Sequence, residues 1–361
     1  MIAPPLTAVT ILLAALLVAC GGGDDPVRSP QPSADGEPVR VTNASVTNSL
    51  AIPDATDDPA LSGPYGVGFV QLTLLRSDSL TGELRELPTV LWYPTNEPGD
   101  FDPTFAATDR APLAEGAQSR QLIVFSHGAG GSPTNATYLT AHLATHGFLV
   151  AAPAHTGHTT GCDLNCFANP NVIAAARANR PDDIRFVVQE LRRLSADPAS
   201  FLFAAVSDAP VGVTGHSFGG LTALTTAVQT PDEIGAAVAF APALDDTLLQ
   251  SLPGNPVPVM IMGGERDLVT PVQIQRDLFA LAQPPRALVV FDRGGHFIFS
   301  RACPPTIGSC FGGPIAQDLA HIIINRLATA FFRRYLLNEI EQEAWLTANS
   351  TDTEATLTFD P

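Results

Sequence analysis

Short, continuous apolar runs alternate with amphipathic stretches along most of this chain. The apolar runs occupy residues 121–126, 148–153, 211–216, 236–240, 257–262 and 287–291. Runs without a polar side are typical of strands that are covered on both faces. Helical periods occupy residues 138–146, a stretch from residue 181, and residues 218–227, 272–281 and 315–336. This alternation predicts an α/β fold with a mostly parallel central sheet and helices on both faces.

The ends of this pattern carry weaker predictions. Residues 68–75 and 87–93 suggest two early antiparallel strands, and residues 155–179 suggest a loop. Pro181 followed by two aspartates predicts a helix start, because proline suits the first turn and acidic side chains suit its positive end. Residues 341–361 fit either a polar tail or a peripheral strand. Because no stretch is long enough for a large lid domain, we expect an open site.

The N-terminal region has the features of an export signal. Residues 6–19 are apolar but shorter than the about 20 residues that span a bilayer, which indicates a signal peptide at 1–19. Residues 17–20 (LVAC) resemble a bacterial lipobox, which implies lipidation of Cys20. The alternative is an ordinary secretory signal in which Cys20 is incidental. We therefore predict an exported bacterial protein that is anchored by lipid to a membrane, in the periplasm or at the cell surface.

Composition divides the rest of the chain. Residues 20–60 are polar and acidic and predict a disordered linker, residues 61–340 the catalytic domain, and residues 341–361 a C-terminal tail. The net charge is −17, and it is spread along the chain. Such a charge argues against nucleic-acid binding and against docking on anionic lipid.

Four cysteines remain once the candidate lipidation site is set aside. They form two close pairs, Cys162 with Cys166 and Cys303 with Cys310. In an oxidising compartment these predict disulfides, with three possible connectivities, of which local pairing is our prediction. His155 and His158 beside the first pair could instead complete a zinc site, although the spacing matches no pattern known to us. We predict a loop stiffened by a disulfide, no metal and no cofactor.

The run 211–220 (VGVTGHSFGG) predicts a strand, a sharp turn and a helix. Its residues 215–219 (GHSFG) fit G-x-S-x-G, the nucleophile elbow of α/β-hydrolases. Glycines on both sides allow the close backbone approach that a strained turn needs. Ser217 is therefore the candidate nucleophile, and His216 is expected to pack under the turn. A solvated serine at a glycine-rich junction is the alternative.

An acid and a base follow Ser217 in the order that this fold requires, each after a predicted strand. Asp267 follows the strand at 257–262, and His296 follows the strand at 287–291. An imidazole activates a serine hydroxyl, and a carboxylate orients the imidazole. His321 lies inside the last helix, where packing is the simpler role. The other acids that could take the place of Asp267 are Glu265, Asp245, Asp246 and Asp292.

The negative oxygen that forms during acyl transfer requires fixed N–H donors. One is the amide of Phe218, which follows the nucleophile. The loop at 126–131 (SHGAGG) follows an early strand, and its glycines allow close approach to a substrate carbonyl. We predict Ala129 as the second donor, with an ordinary glycine turn as the alternative.

Together, SHGAGG after LIVF, the motifs HGFLVAAP and RPDDIRFV, and GHSFGG resemble platelet-activating-factor acetylhydrolase-like enzymes. The resemblance spans about residues 65–340 and extends to dienelactone-hydrolase-like and cutinase-like enzymes. It departs from the family at two points. Dienelactone hydrolases use cysteine where this chain has Ser217, and the eukaryotic acetylhydrolases place the acid where this chain has residues 239–242 (AFAP). Asp267 instead matches the cutinase-like position.

The resemblance implies a serine esterase that acts through an acyl-enzyme on short or medium acyl esters. Short-chain or oxidised phospholipids are the leading substrates, and a polyester or cutin-type substrate is the enzymatic alternative. A hydrolase-fold lipoprotein that binds ligands without catalysis is the alternative from another class, and a peptidase is weaker. The expected partner is a small-molecule or lipid ester. The sequence leaves the oligomeric state open.

Overall fold

A computed structural model describes residues 57–96, 108–109, 111–114, 116, 118–301, 315–347, 351 and 353–361. Cys20, Cys303 and Cys310 lie outside the described residues, as do the predicted signal peptide and most of the linker. Within the described part, no helix combines the length and the apolar character that a membrane crossing would require.

Within the described residues, one sheet of ten strands organises the fold, in the order β10-β9-β8-β7-β6-β4-β5-β2-β1-β3. The strands are β1 (Gly66–Ser77), β2 (Leu84–Thr95), β3 (Thr108–Asp109), β4 (Leu122–Ser126), β5 (Leu149–Pro153), β6 (Val211–His216), β7 (Ile234–Phe240), β8 (Val259–Gly264), β9 (Arg286–Phe291) and β10 (Ala355–Asp360). The six strands from β5 across to β9 run parallel, whereas β2 and β10 pair antiparallel with the strands at the two sides of this core. The predicted, mostly parallel sheet is confirmed.

Helices cover both faces of the sheet. They are α1 (Thr137–Thr145), α2 (Asn165–Ala168), α3 (Pro170–Ala196), α4 (Phe218–Gln229), α5 (Asp246–Ser251), α6 (Val272–Leu281) and α7 (Gln317–Leu336). Side chains of each central strand alternate between two buried clusters: Ile123 and Phe125 face α1 and α7, whereas Leu122 and Val124 face α3 and α4. The central strands are therefore mostly apolar because both of their faces are buried, and the polar exceptions in β4 and β6 are Ser126, Thr214 and His216.

The predicted loop at 155–179 is wrong in its second half, because α3 begins at Pro170. Asn169 caps this helix by accepting a hydrogen bond from the Asn171 amide, and Pro170 occupies the first turn, where a missing N–H costs nothing. Pro181, which we predicted to open the helix, lies inside it. The true start signal was therefore Asn-Pro, eleven residues earlier.

Both ends of the described domain extend past the predicted boundaries. Asp58, assigned to the linker from the sequence, accepts two hydrogen bonds from the Arg326 guanidinium at 2.8 and 2.9 Å. At the other end, the segment 341–361 is not a tail throughout. Of the two structures that its sequence allowed, residues 355–360 adopt the peripheral strand, because β10 pairs with β9 over all six residues.

The loops that follow β4, β5, β6, β8 and β9 leave the carboxyl ends of parallel strands and therefore share one edge of the sheet. All five predicted catalytic and oxyanion residues lie on these loops or at the start of α4. This is the edge at which open α/β sheets bind ligands.

Candidate active site

Ser217 occupies a strained turn between β6 and α4. Its backbone has φ +57° and ψ −118°, a conformation that L-residues rarely adopt. The Ser217 N–H donates to the Phe240 carbonyl at 2.8 Å, and the Ser217 carbonyl accepts from the Ala243 N–H at 2.9 Å. These bonds hold the turn from the neighbouring strand.

The two glycines of the motif make this turn possible. A Cβ on Gly219 would overlap the Ser126 carbonyl, and a Cβ on Gly215 would overlap the backbone of Gly219. The sequence needs glycine at both positions because three stretches of backbone pass within contact distance there.

His296 and Asp267 form a buried hydrogen-bonded pair. His296 Nδ1 lies 2.7 Å from Asp267 Oδ2, and both side chains are almost fully buried. Thr270 adds a hydroxyl that donates to Asp267 Oδ2 at 3.0 Å. Because an ionised carboxylate only accepts hydrogen bonds, His296 carries its proton on Nδ1, which leaves Nε2 free to accept a proton.

Asp267 remains ionised despite its burial. Burial raises the pKa of this carboxyl. His296 and the backbone N–H groups of Thr270 and Val269 lower the pKa by more than burial raises it, so the net pKa lies below the ordinary value. The two amides donate to Oδ1 at 2.8 and 2.7 Å. The carboxylate is therefore both oriented and kept charged.

Two of the competing acids have other partners. Asp245 caps α5 by accepting from the Leu248 N–H at 2.9 Å, and Glu265 pairs with Arg276 at 2.6 Å. Asp246 lies in the first turn of α5, and Asp292 follows β9 directly. Of the five acids considered, the structure places Asp267 against His296.

His216 connects the elbow to the base. Its Nε2 donates to the His296 carbonyl at 3.0 Å, and the two rings lie with their centroids 4.5 Å apart. Burial, and then the neighbouring His296, lower the pKa of His216 to about 3. A neutral His216 therefore packs under the turn and supports the loop that carries His296.

The loop after β4 lies against the nucleophile. A Cβ built on Gly128 would contact Ser217 Cβ at 3.4 Å, which places the Gly128–Ala129 peptide beside the serine. Among the described residues, the Ala129 N–H donates no hydrogen bond. The Phe218 N–H is at the first position of α4 and has no partner within the helix. Two free donors thus flank Ser217.

A buried polar network that the sequence pattern did not reveal supports this loop. Ser126 Oγ lies 2.8 Å from His155 Nε2, and His155 Nδ1 lies 2.9 Å from Asp183 Oδ2. Arg76 and Arg85 bond Asp183 Oδ1 at 3.0 and 2.9 Å. This Ser-His-Asp chain is inaccessible, since Ser126 and Asp183 are 0% exposed.

Arg180 is the other residue that the sequence did not reveal. It is 1% exposed, and it donates to the carbonyls of His127, Gly128 and His158 at 2.6, 3.3 and 3.0 Å. The motif RPDDIRFV contained Arg180 and Asp183, but the helix start predicted at Pro181 concealed the contacts that they make from inside α3. The only available signal was charge within a stretch that the fold buries.

The predicted local disulfide is confirmed for Cys162 and Cys166, whose Cα atoms are 5.6 Å apart. His158 Nε2 donates to the Cys166 carbonyl at 2.9 Å, and His155 belongs to the buried network. The two histidines and two cysteines that could have formed a zinc site therefore have other partners. Within the described residues, no cluster of histidine, cysteine or acidic side chains fits a metal ion.

His321 lies outside this site. It stacks on Tyr138 with ring centroids 3.5 Å apart, and its Nε2 donates to the Ser300 carbonyl at 3.1 Å. A cavity of about 300 Å³ lies beside α3 and is lined in part by Arg85, His155, His158 and Arg180. Its lining includes neither Ser217 nor His296, so we do not equate it with the substrate site.

Comparisons with known proteins address the fold. A family model described as serine aminopeptidase, S33, matches residues 117–257, a range that includes Ser217 and ends before Asp267. The chain is similar to the solved structure of a ferulic acid esterase from Streptomyces cinnamoneus, with a TM-score of 0.65 and 22% identity over 82% of this chain and 97% of that chain. A search of curated protein sequences found no match. These likenesses and the sheet order confirm the predicted α/β-hydrolase fold.

Proposed function

We propose that this protein, which has an α/β-hydrolase fold, is a serine esterase that hydrolyses carboxylic esters through an acyl-enzyme. The observation that carries the proposal is the His296–Asp267 pair, bonded at 2.7 Å beside the strained turn that presents Ser217. Strain at such a turn is costly and is typical of functional sites. A fluorophosphonate probe that labels Ser217 would support this assignment.

The reaction follows from the roles of these side chains. His296 Nε2 takes the hydroxyl proton of Ser217 while Oγ attacks the ester carbonyl, and Asp267 stabilises the resulting imidazolium. The carbonyl oxygen becomes an oxyanion that the amides of Phe218 and Ala129 bind. Collapse breaks the C–O bond, and His296 returns the proton to the departing alcohol. Water, activated by His296, then releases the carboxylic acid and restores Ser217.

The substrate is an ester with an apolar acyl or aryl part. Leu268, directly after the acid, is 59% exposed, and Leu164 in the disulfide loop is 40% exposed, so apolar surface borders the edge of the sheet that carries Ser217. We propose short or medium acyl esters, including short-chain or oxidised phospholipids, as the leading class. A polyester or cutin-type substrate is supported by the position of Asp267 after β8.

Two other functions make different predictions. A ligand-binding protein without catalysis would not need the His296–Asp267 pair, and it would remain unlabelled by a fluorophosphonate. The family description names an aminopeptidase, and an aminopeptidase would release the amine from an aminoacyl-p-nitroanilide. We favour the esterase because a structural neighbour that covers 82% of this chain is a ferulic acid esterase, whereas the aminopeptidase family model matches residues 117–257.

The decisive experiment uses the purified full chain with p-nitrophenyl acetate and butyrate. We expect Ser217→Ala to abolish hydrolysis, whereas Ser207→Ala, in the turn before the amino end of β6, retains it. Hydrolysis that survives in Ser217→Ala would contradict the proposal. A series of acyl chain lengths, with a short-chain phospholipid, a polyester film and a feruloyl ester, then identifies the substrate class.

We also propose export and lipid anchoring at Cys20. The support is the apolar run at residues 6–19 followed by LVAC. Cys20→Ser is expected to move the protein from the membrane fraction to the soluble fraction with turnover unchanged. Retention of Cys20→Ser in the membrane fraction would argue against lipidation there.

A further inference from the structure

We propose that Arg180 is a positioning residue that aims both N–H donors of the oxyanion hole at the substrate. The proposal rests on the esterase function above. Arg180 lies in the middle of α3, far from Ser217 in sequence, yet its guanidinium contacts both the loop that carries Ala129 and the ring of Phe218.

The first contact fixes the Gly128–Ala129 peptide. The Gly128 carbonyl accepts three hydrogen bonds: from Arg180 Nη2 at 3.3 Å, from His127 Nδ1 at 2.7 Å and from the Gly131 N–H at 3.1 Å. The carbonyl and the Ala129 N–H belong to one planar trans peptide, so they point in opposite directions. Holding the carbonyl on the side of Arg180 therefore aims the Ala129 N–H away from it, on the side of Ser217.

His127 depends on the same arrangement. The His155 N–H donates to His127 Nε2 at 3.2 Å, so the proton of this imidazole must be on Nδ1, from which it donates to Gly128. Burial, followed by repulsion from Arg180, places the pKa of His127 well below its ordinary value. His127 is therefore a fixed neutral donor, and Arg180 holds its carbonyl at 2.6 Å.

The second contact fixes the other donor. The Arg180 Cζ atom lies 4.9 Å from the centroid of the Phe218 ring, and the His158 ring packs edge-on against the same ring at 4.6 Å. Arg180 also donates to the His158 carbonyl at 3.0 Å. Arg180 therefore holds Phe218, whose N–H is one donor, through the phenylalanine ring. The same guanidinium orients the Gly128–Ala129 peptide, whose N–H is the other donor.

The charge of Arg180 is buried, and its hydrogen bonds are directed at the loops around the site. Among the described residues, the hydrogen bonds of Arg180 go to three loop carbonyls, and its Nε has no partner. Burial lowers the pKa of Arg180 to about 9, against the attraction of Asp183, so the group is charged at neutral pH. A buried charge is costly unless hydrogen bonds compensate it, and the hydrogen bonds of this guanidinium all go to carbonyls of the loops around the site. The guanidinium therefore fixes the orientation of the Gly128–Ala129 peptide and of the Phe218 ring.

The test compares Arg180→Met with a matched control, Arg286→Met. Arg286 also donates to three carbonyls, those of Phe279, Ala280 and Ala282, and stacks on a phenylalanine ring at 4.7 Å, but it lies at the amino end of β9. In the full chain with p-nitrophenyl butyrate, Arg180→Met is expected to lower kcat about 10- to 100-fold with little change in KM. Arg286→Met should leave both constants unchanged.

A transition-state analogue distinguishes a loss of donor orientation in the oxyanion hole from a general disturbance of the structure. A trifluoromethyl ketone adds Ser217 Oγ to its carbonyl and leaves an oxyanion in the hole. Its inhibition constant should rise in Arg180→Met by the same factor by which kcat/KM falls, and Arg180→Lys should recover part of both losses. Hydrogen exchange of residues 126–131 should be faster in Arg180→Met than in the wild type.

The outcomes distinguish the two proposals. Wild-type protein without turnover or fluorophosphonate labelling would contradict the esterase function. An active wild type in which Arg180→Met keeps its kcat and its affinity for the ketone would contradict only the positioning role. If Arg180→Met does not fold, Arg180→Lys carries the test: a fall in kcat with unchanged KM supports the role, and an unchanged kcat overturns it.

Discussion

A buried Ser-His-Asp chain lies at the same edge of the sheet as the Ser217 turn and the His296–Asp267 pair, and exposure distinguishes the two sets of residues. Ser126, His155 and Asp183 have the hydrogen-bond pattern of a catalytic triad, but the Ser126 hydroxyl is closed off from any substrate. Ser217 is partly exposed and lies on a turn under strain. A triad geometry therefore indicates catalysis only where the nucleophile can be reached.

Replacing Asp267 tests whether this carboxylate orients His296 for its role as the base. Asp267→Asn retains the shape of the side chain, but its amide can donate to His296 Nδ1 and thereby favour the wrong tautomer. We expect kcat for p-nitrophenyl butyrate to fall by about 10³- to 10⁴-fold, the loss that this mechanism predicts. Steady-state kinetics of the purified variant measures it.

Asp245→Asn is the matched control, because asparagine also caps helices and should preserve α5. Its turnover is expected to equal that of the wild type. If Asp245→Asn lost activity and Asp267→Asn kept it, the acid would be the one in the loop after β7, and the base would have to rearrange to reach it.

Among the site residues, the sequence could predict those that come shortly after an apolar run. Ser217, Asp267 and His296 each occupy such a position, so fold topology alone placed them at one edge of the sheet. Arg180 and Asp183 could not be assigned in this way, because they lie on one helix and bond residues that are 22 to 107 positions earlier in the chain. Their chemistry depends on which face of α3 the sheet covers.

Among the elements, the central strands were the easiest to predict and α3 the hardest. Strands buried on both faces have few polar positions, which makes their pattern distinct from that of a loop. Residues 170–180 contain few large apolar side chains, and Pro181 suggested a boundary. Burial of Arg180 and Asp183 shows that this half of α3 packs through polar contacts, which a hydrophobic period cannot reveal.

The disulfide loop before α3 supports the active-site edge more than it supports global stability. The Cys166 carbonyl receives the His158 side chain, and the Phe167 ring would lie 3.5 Å from a Cβ on Gly130. We expect Cys162→Ala/Cys166→Ala to lower the free energy of unfolding by about 2 kcal/mol at most, since so short a loop gains little entropy from closure.

Turnover of this double variant should fall severalfold, because the loop that carries Ala129 loses a neighbour. Urea unfolding and steady-state kinetics with the same preparation check the two expectations together. A variant that loses stability and keeps full kcat would show that the loop is only a structural connection.

Across the described domain, burial lowers the pKa of most histidines. Seven of the eight histidines have a pKa below the ordinary value, with burial as the largest cause: His127, His142, His146, His155, His158, His216 and His321. The pKa of His142 and of His321 is lowered to about 4. These rings form hydrogen bonds as neutral groups throughout the domain.

Stability is therefore expected to fall as the solution is acidified. A histidine whose pKa is lowered in the folded state binds its proton more readily when unfolded, so the stability it contributes is complete above pH 6.5 and is lost as pH falls towards its folded pKa. Each fully buried histidine contributes up to about 1.4 kcal/mol per pH unit within that window. We expect the free energy of unfolding to be highest above pH 7 and to decrease steeply between pH 6.5 and 4.

Urea unfolding followed by circular dichroism at pH 7.5, 6.5, 5.5 and 5 measures this slope. His142→Gln is the matched variant, because glutamine can still donate to the Pro59 carbonyl that His142 Nε2 bonds at 2.7 Å, yet it binds no proton. The dependence of the unfolding free energy on pH should be weaker in His142→Gln than in the wild type, by the amount that corresponds to about one proton. A free energy of unfolding that stayed constant from pH 7.5 to 5 would show that the unfolded chain gains no protons over the folded one, and the buried neutral histidines would then not control the acid limit of the fold.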